Sequence, residues 1–498
     1  MKKLLVALIL SVQSFVALPQ LDTSGFRDFL QQVYTDFELP SMAVAAVKDG
    51  QVILSEGFGK RSESQNFSPD GSTQYAIASL SKAFTAASIG MLVDEGKLAW
   101  TDPVVKHLPD FKLYDDSVTN VLTIEDLLSH RSGLITFDGD LLWYGTNYSR
   151  EEVMHRIRYR PLTYALGEKF GYQNIMFITA GQLIERVSGQ SWDEFVQKRI
   201  LDPLKMNRTT SDFQTFYSDL NHASPFIEGK QIFSLSYNNS GATAALNSTT
   251  NDMCKWMNFW LNQGVVNGDI LLSKESIEKI WEIHANLGVG KFDAENGTTS
   301  KAYGMGWFLM DYKGKKVIHH GGGLPGYISK IALVPNDQLG IIVLTNDMSS
   351  APSMLMYAYI DWAAGNDYEQ WAAKFLEFKA SGEERAEKEK SKRLLTKIEN
   401  PMMLPLEDYI GLYRDEMYGD ARVSMGENGL IFSMLPGKEL FTGRMEPWGN
   451  HAFKFEHNDP FLTYGIIHFD VQKDVIKGFE IELPNDDFHF DKLNFDKQ

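Results

Sequence analysis

The sequence predicts an α/β (α+β) protein with a smaller β domain at its C-terminal end. Three observations carry that prediction. Strand-like runs flank a long helical middle, so that one sheet joins remote parts of the chain. A charge-dense segment, 379–397, separates this region from the C-terminal residues. Beyond Pro401, apolar residues alternate in short runs divided by glycine-bearing turns, the pattern of a small antiparallel β domain closing into a barrel.

Taken in order, the chain opens with Lys2 and Lys3, an apolar run over 4–10, and small residues at Ser14 and Ala17. That is the layout of a secretory signal peptide, assigned to residues 1–17, and it makes export the expected localisation. The run is too short to span a membrane comfortably, and no later segment approaches the ~18 apolar residues a span needs, so stable membrane insertion is not expected. Two strand-like runs, 43–48 and 51–54, meet at Asp49-Gly50, a hairpin signal. Residues 82–92 (KAFTAASIGML) are rich in Ala and apolar residues and read as a buried helix. Helical stretches come next at 124–128 and 177–187. Strands return at 317–320, 328–334 and 340–344. The charged run falls in a solvated helical linker, 376–402, that lacks the broad apolar face of a partner-binding helix. Alternating strands at 430–434, 467–471 and 479–483 then mark the C-terminal domain, 403–498.

At 498 residues the chain can bury at least one large core. Its formal charge of −17 provides no basic field for phosphates and makes nucleic acid and anionic membrane surfaces poor partners. Cationic or neutral substrates fit that balance better. Cys254, the single cysteine, excludes an internal disulfide and a cysteine-based zinc site, and is read as a packing residue. N-x-S/T sequons at Asn66, Asn147, Asn207, Asn238, Asn247 and Asn296 matter only in a host that glycosylates exported proteins. No cofactor or metal is expected.

The chemistry begins at Ser79 and Lys82, in Ile77-Ala78-Ser79-Leu80-Ser81-Lys82. At the start of a helix, residues i and i+3 are neighbours, so the amine can reach the hydroxyl. Burial would keep the amine neutral and able to take the serine proton. The same spacing recurs at Ser276 and Lys279, but among alternating charges that read as a solvated helix face. A hydrolytic site needs a second proton carrier and an oxyanion hole. Tyr172-Gln173-Asn174 supplies a phenol and an amide two residues apart, with Tyr237-Asn238-Asn239 as a rival in a polar loop. His319-His320-Gly321-Gly322-Gly323-Leu324-Pro325-Gly326 supplies bare backbone whose N–H groups can face an oxyanion. Rival readings of that segment are a plain turn, a metal pair and a dinucleotide loop. Adjacent strand residues point to opposite faces, which disfavours the metal pair. A strand succeeds Gly321, Gly323 and Gly326 where a nucleotide fingerprint needs a helix. H-E-x-x-H and G-x-S-x-G are both absent.

In this order, these motifs resemble the serine β-lactamase-like and penicillin-binding family, on its class C and D-alanyl-D-alanine carboxypeptidase (S12-type peptidase) branch. The phrases at 123–134 (TIEDLLSHRSGL), 181–185, 203–206 and 343–346 are similar as well, and the resemblance covers about 25–370. It implies a β-lactamase/transpeptidase-like catalytic domain, 20–375, with a central antiparallel sheet flanked by helices. The tail resembles a lipocalin-like domain, cued by Tyr409-Ile410-Gly411-Leu412-Tyr413. Carried over, Ser79 is the acylated nucleophile and Lys82 its base. Tyr172 protonates the leaving group and later activates water, and Asn174 positions substrate. His320 opens the third motif, His319 remaining open through a one-residue slip. Gly321, Gly322 and Gly323 line the substrate, with the N–H groups of Ser79 and Gly323 as oxyanion hole. Whether Lys82 or Tyr172 is the working base stays open. A His followed by Gly stands where the family's Lys-Thr-Gly would offer a fixed cation and a hydroxyl, which disfavours β-lactams. The expectation is an exported serine hydrolase acting on amides or esters, above all small peptides that include D-amino acids. A carboxylesterase or weak β-lactamase is the alternative, and a scaffold or acylation sensor the reading from another class.

Overall fold

The computed structural model describes residues 22–64 and 67–498. The expected signal peptide, 1–17, and the sequon at Asn66 lie outside the described residues. Helix α1 (Ser24–Asp36) leads into the hairpin β1 (Ser41–Lys48) and β2 (Gln51–Gly59). Asp49 and Gly50 have φ of 51° and 80°, the two left-handed residues that a tight hairpin turn of this kind requires. Next come α2 (Ser81–Asp94), α3 (Asn174–Ser188), α4 (Thr250–Leu261) and α5 (Lys274–Ile280). After them run strands β3 (Ala285–Leu287), β4 (Thr298–Tyr303), β5 (Phe308–Tyr312), β6 (Lys315–Leu324), β7 (Tyr327–Val334) and β8 (Leu339–Thr345). They join the hairpin in an 8-stranded sheet of order β2-β1-β8-β7-β6-β5-β4-β3, and every neighbouring pair is antiparallel.

Strand periodicity sorts the sheet's side chains onto two buried faces. Ala43, Ala45, Val47, Ile331, Leu333, Ile342 and Leu344 pack in the core that contains α2, α3 and α4. Met42, Val44, Ala46, Ala332, Val334, Ile341 and Val343 pack in the core that contains α1 and the last two helices, α6 (Ala351–Ala363) and α7 (Gln370–Leu394). Burial on both faces explains why these strands read as continuous apolar runs. Most of the charged linker region is α7, which begins earlier than the linker and buries Trp371, Ala372 and Phe375. No helix among the described residues is long and apolar enough to cross a membrane.

The C-terminal region forms a closed barrel of eight strands, from Gly411–Asp415 to Phe495–Lys497. Closure leaves no unpaired edge. The barrel shares an apolar core with the helical side of the first domain. Tyr148 Oη donates to the Tyr418 carbonyl at 2.7 Å, and Arg156 Nη1 to the Met417 carbonyl at 3.0 Å. No sequence motif marks this docking.

Candidate active site

Ser79 lies in a single 3-10 turn, Ala78–Leu80, that runs straight into α2. Ala78, just before it, has φ of 50°, an uncommon backbone conformation for a residue with a Cβ. The i, i+3 relation survives the change of helix type, and Lys82 Nζ lies 2.9 Å from Ser79 Oγ. Two other atoms surround the amine: Asn174 Oδ1 at 2.6 Å and the Thr243 carbonyl oxygen at 3.2 Å. Those two can only accept. A neutral amine has two protons and one lone pair, so its protons go to Asn174 and Thr243 and its lone pair faces the serine hydroxyl. Burial draws the Lys82 pKa well below the ordinary lysine value, with Asp140 pulling the other way. The arrangement suits a free-base lysine opposite a serine with a proton to give.

Tyr172 and Asn174, at the entry to α3, face the same centre. The Lys82 amine lies 4.8 Å from the centroid of the Tyr172 ring. Burial raises the Tyr172 pKa far above its ordinary value, with the Ser79 hydroxyl working slightly against it. This phenol therefore holds its proton. Asn174 Oδ1 also accepts from Thr243 Oγ1 at 2.8 Å, and Nδ2 donates to Asp140 Oδ2 at 2.6 Å. Asn174 is thus fixed chiefly by protein partners, with one Nδ2 proton left for a ligand. Burial lifts Asp140 to about 8, so its carboxyl is mostly protonated at neutral pH. The rival Tyr237 is buried and leads into a 3-10 segment, Asn238–Thr243, where the sequence suggested only a polar loop. Thr243, at the end of that segment, is what reaches the site, through its hydroxyl to Asn174 and its carbonyl to Lys82.

The two histidines of β6 point to opposite faces. Ile318 and His320 alternate onto the Ser79 side, Val317 and His319 onto the other. The hydrogen bonds fix the tautomers along one chain. The Gln173 N–H donates to His130 Nδ1 at 3.1 Å, so His130 carries its proton on Nε2 and donates to Tyr303 Oη at 3.2 Å. Tyr303 then donates to His320 Nε2 at 3.3 Å, and His320 Nδ1–H donates to the Gly321 carbonyl at 2.6 Å. Burial lowers His320 to about 3. It is a neutral ring that pins the glycine strand.

Gly322 has a packing reason. A Cβ there would lie 2.3 Å from the Ile77 carbonyl oxygen and 2.4 Å from Ser329 Oγ, whereas at Gly321 it would meet nothing nearer than 3.8 Å. Gly322→Ala should therefore cost about 1–3 kcal/mol of stability and disturb the Ser79 turn, while Gly321→Ala should stay within about 0.5 kcal/mol. Urea unfolding of the two variants checks this.

These residues surround a cavity of about 620 Å³. Ser79, Tyr172, Asn174, His320, Gly321 and Gly323 line one part of it, and the barrel residues Phe461, Asp487 and Phe488 form a wall. The wall is anchored by Tyr144, whose ring centroid lies 4.1 Å from that of Phe488 and whose hydroxyl donates to Asp459 Oδ2 at 2.7 Å. His489 Nε2 also donates to the Thr136 carbonyl at 2.7 Å.

The profile of the family described as Beta-lactamase matches residues 26–366, well over half of the chain. The chain belongs to the Beta-lactamase family. That family is one of serine hydrolases, and two similar proteins carry a hydrolase name. The unguisins hydrolase ungD' of Aspergillus campestris is 30% identical over 366 residues, covering 68% of this chain and 64% of that protein. The unguisins hydrolase ungD of Aspergillus violaceofuscus is 26% identical over 437 residues, covering 79% and 75%. Protein flp of Staphylococcus aureus (strain NCTC 8325 / PS 47) is 29% identical over 339 residues, and 64% of each chain is covered. The chain thus spans a little under two thirds of the length of protein flp and of ungD'. The octameric penicillin-binding protein homologue from Pyrococcus abyssi has the same fold, with a TM-score of 0.62 at 22% identity, covering 96% of this chain and all of that one. Residues 397–497 match a domain of unknown function, DUF3471.

In this member of the Beta-lactamase family, the second Ser-x-x-Lys pair is not a site. Ser276 is buried, contrary to the solvated reading, and donates to Asp94 Oδ1 at 2.6 Å where α5 packs on α2. Lys279 pairs with Glu125 and Glu282. No cluster of metal-ligating side chains occurs among the described residues. Sequence reasoning missed Asp140, Thr243, His130 and Tyr303. His130 lies inside one of the family-like phrases, 123–134, so a signal existed for it alone.

Proposed function

We propose that this chain is a serine hydrolase that forms an acyl-enzyme on Ser79 and cleaves amide or ester bonds in small substrates, peptides with D-amino acids foremost. The observation that carries the reading is the buried Lys82 amine, 2.9 Å from Ser79 Oγ, with its other two partners able only to accept. Opposite pKa directions assign the proton roles. The depressed amine is the base, and the phenol held above its usual value is the acid. Lys82 takes the Ser79 proton as Oγ attacks the carbonyl carbon, and the oxyanion faces the N–H groups of Ser79 and Gly323. The leaving group takes its proton from Tyr172, which recovers one from the Lys82 ammonium. Water then cleaves the acyl bond, its proton passing through Tyr172 and Lys82 as Ser79 is restored.

His320 supports the peptide or ester reading over β-lactams, because a neutral buried ring offers no fixed cation to a β-lactam carboxylate. The relatives named as hydrolases support the reaction class, and the amino-terminal pattern supports an exported enzyme. A panel of p-nitrophenyl esters, D-aminoacyl anilides and a chromogenic cephalosporin tests the substrate class. Esters or anilides should exceed the cephalosporin in kcat/KM by about tenfold or more, the scale of one lost charge-assisted contact. Dominant cephalosporin turnover would contradict the role given to His320.

A further inference from the structure

His130 and Tyr303 are buried side chains with no step of their own in the reaction above. The φ of His130 is 61°, in the left-handed region that few residues with a Cβ adopt. Such a conformation persists only where its surroundings demand it, and such sites cluster at functional centres. Here it turns both the carbonyl and the ring of His130 toward one segment, 171–173. The carbonyl accepts from the Gly171 N–H at 3.0 Å, and Nδ1 from the Gln173 N–H at 3.1 Å. Between them, the Tyr172 N–H donates to Thr136 Oγ1 at 3.1 Å. One loop thus holds all three N–H groups around the phenol, two of them through His130. Gly171 permits the close approach, since a Cβ there would lie 2.2 Å from the Leu134 carbonyl oxygen. The His130 ring also packs on the Tyr172 ring, with centroids 4.3 Å apart.

The far edge of the ring is held as well. His130 Nε2–H donates to Tyr303 Oη at 3.2 Å, and Tyr303 Oη to His320 Nε2 at 3.3 Å, so the chain of bonds ends on the glycine strand β6. Tyr303, the last residue of β4, is itself wedged between Phe308 and Phe170, at centroid distances of 4.7 and 5.3 Å. A neutral imidazole presents an acceptor and a donor on one rigid ring, which is what this position uses. Position matters for an acid catalyst. The phenol must lie within hydrogen-bond reach of the leaving atom, and a displacement of about 1 Å can cost about a hundredfold in rate.

We propose that His130 and Tyr303 are positioning residues for Tyr172, holding the phenol at the leaving group and tying it to the strand that carries His320. This rests on the hydrolase reading, in which Tyr172 is the acid. The test compares kcat/KM, which covers acylation alone, for a p-nitrophenyl ester and an anilide of the same D-aminoacyl group. Nitrophenolate departs without a proton, whereas the anilide nitrogen must gain one as the C–N bond breaks. The anilide-to-ester ratio therefore reads the acid, and a smaller folded fraction, which lowers both rates equally, does not move it. His130→Ala should lower the ratio by about tenfold or more. His130→Asn, whose Oδ1 can stand in for Nδ1, should recover about threefold or more of that loss. Tyr303→Phe keeps the ring packing and should lower the ratio by about three- to tenfold. An unchanged ratio in His130→Ala or in Tyr303→Phe, or an Asn variant no better than the Ala one, would overturn the proposal. Should His130→Ala not fold, Tyr303→Phe decides. Tyr172→Phe keeps the two failures apart. If the ratio falls there but not in the other variants, only the positioning roles are lost; if it is unchanged there, the acid assignment itself fails.

Discussion

Ser79→Ala should reduce kcat by about ten-thousandfold or more, with the fold and the unfolding midpoint retained. Losing a nucleophile removes the covalent route, and only the oxyanion contacts and binding remain to accelerate attack by water. Ser79 is not a packing element: it is part-exposed at the cavity, whereas its neighbours Ala78, Leu80 and Ser81 are buried. A simple deletion of Oγ therefore leaves the core of α2 untouched. Steady-state kinetics on the best ester of the panel, paired with circular dichroism, separates a chemical loss from a folding one. A variant that is folded and retains more than about a tenth of wild-type kcat would place the nucleophile elsewhere.

Lys82→Arg should be nearly as damaging, although it keeps a long basic side chain. The wild-type amine works because burial makes it neutral. A guanidinium stays protonated and has no lone pair to offer the serine. A loss of about a thousandfold in kcat/KM is expected, within the range for removing a general base. The same neutrality sets the pH dependence of the wild type. The active form has a free-base Lys82, so the rate rises with pH as the amine loses its proton. Because the folded-state pKa is lowered, that rise ends well below the ordinary lysine range. Titration of kcat/KM between about pH 5 and about pH 10 should show the plateau. A rate still climbing about tenfold per unit at the top of that range would mean an ordinary, solvated lysine. His320, near 3, adds no limb to this range.

Much of the catalytic domain was legible because its local signals and its burial agree. Asp49-Gly50 marked the first hairpin, and the apolar runs at 328–334 and 340–344 were long because both faces of the sheet are covered. Ser79 and Lys82 were legible as a helical pair, and Tyr172 and Asn174 as motif residues, since each chemistry is carried by residues close in sequence. The hidden contacts are those between residues far apart in the chain. Asp140 and Thr243 meet Asn174 from 34 and 69 positions away, and Thr243 reaches Lys82 through a backbone carbonyl that every residue type possesses. Tyr303 meets His130 from 173 positions away and links it to His320. The barrel was legible from its alternating strands, but its place as a wall of the cavity depends on loop residues such as Phe461 and Phe488, which carry no pattern of their own.

Ser276 shows the opposite failure. Alternating charges around it suggested a solvated face, yet Gly90 of α2 brings α5 close enough that a Cβ at Gly90 would lie 3.4 Å from Ile280 Cδ1 and 3.6 Å from Ser276 Cβ, and Ser276 is buried in that contact. The conclusion that it is not a nucleophile stands for a different reason: its hydroxyl is held by Asp94, and Lys279 is held in ion pairs.

Intact-mass measurement after reaction with a fluorophosphonate tests the Ser79–Lys82 centre most directly. Wild type and Ser276→Ala should each gain the mass of one phosphonyl group, and Ser79→Ala should gain none. An adduct that persists in Ser79→Ala, or one that is lost in Ser276→Ala while that variant remains folded, would contradict the assignment of Ser79 as the nucleophile.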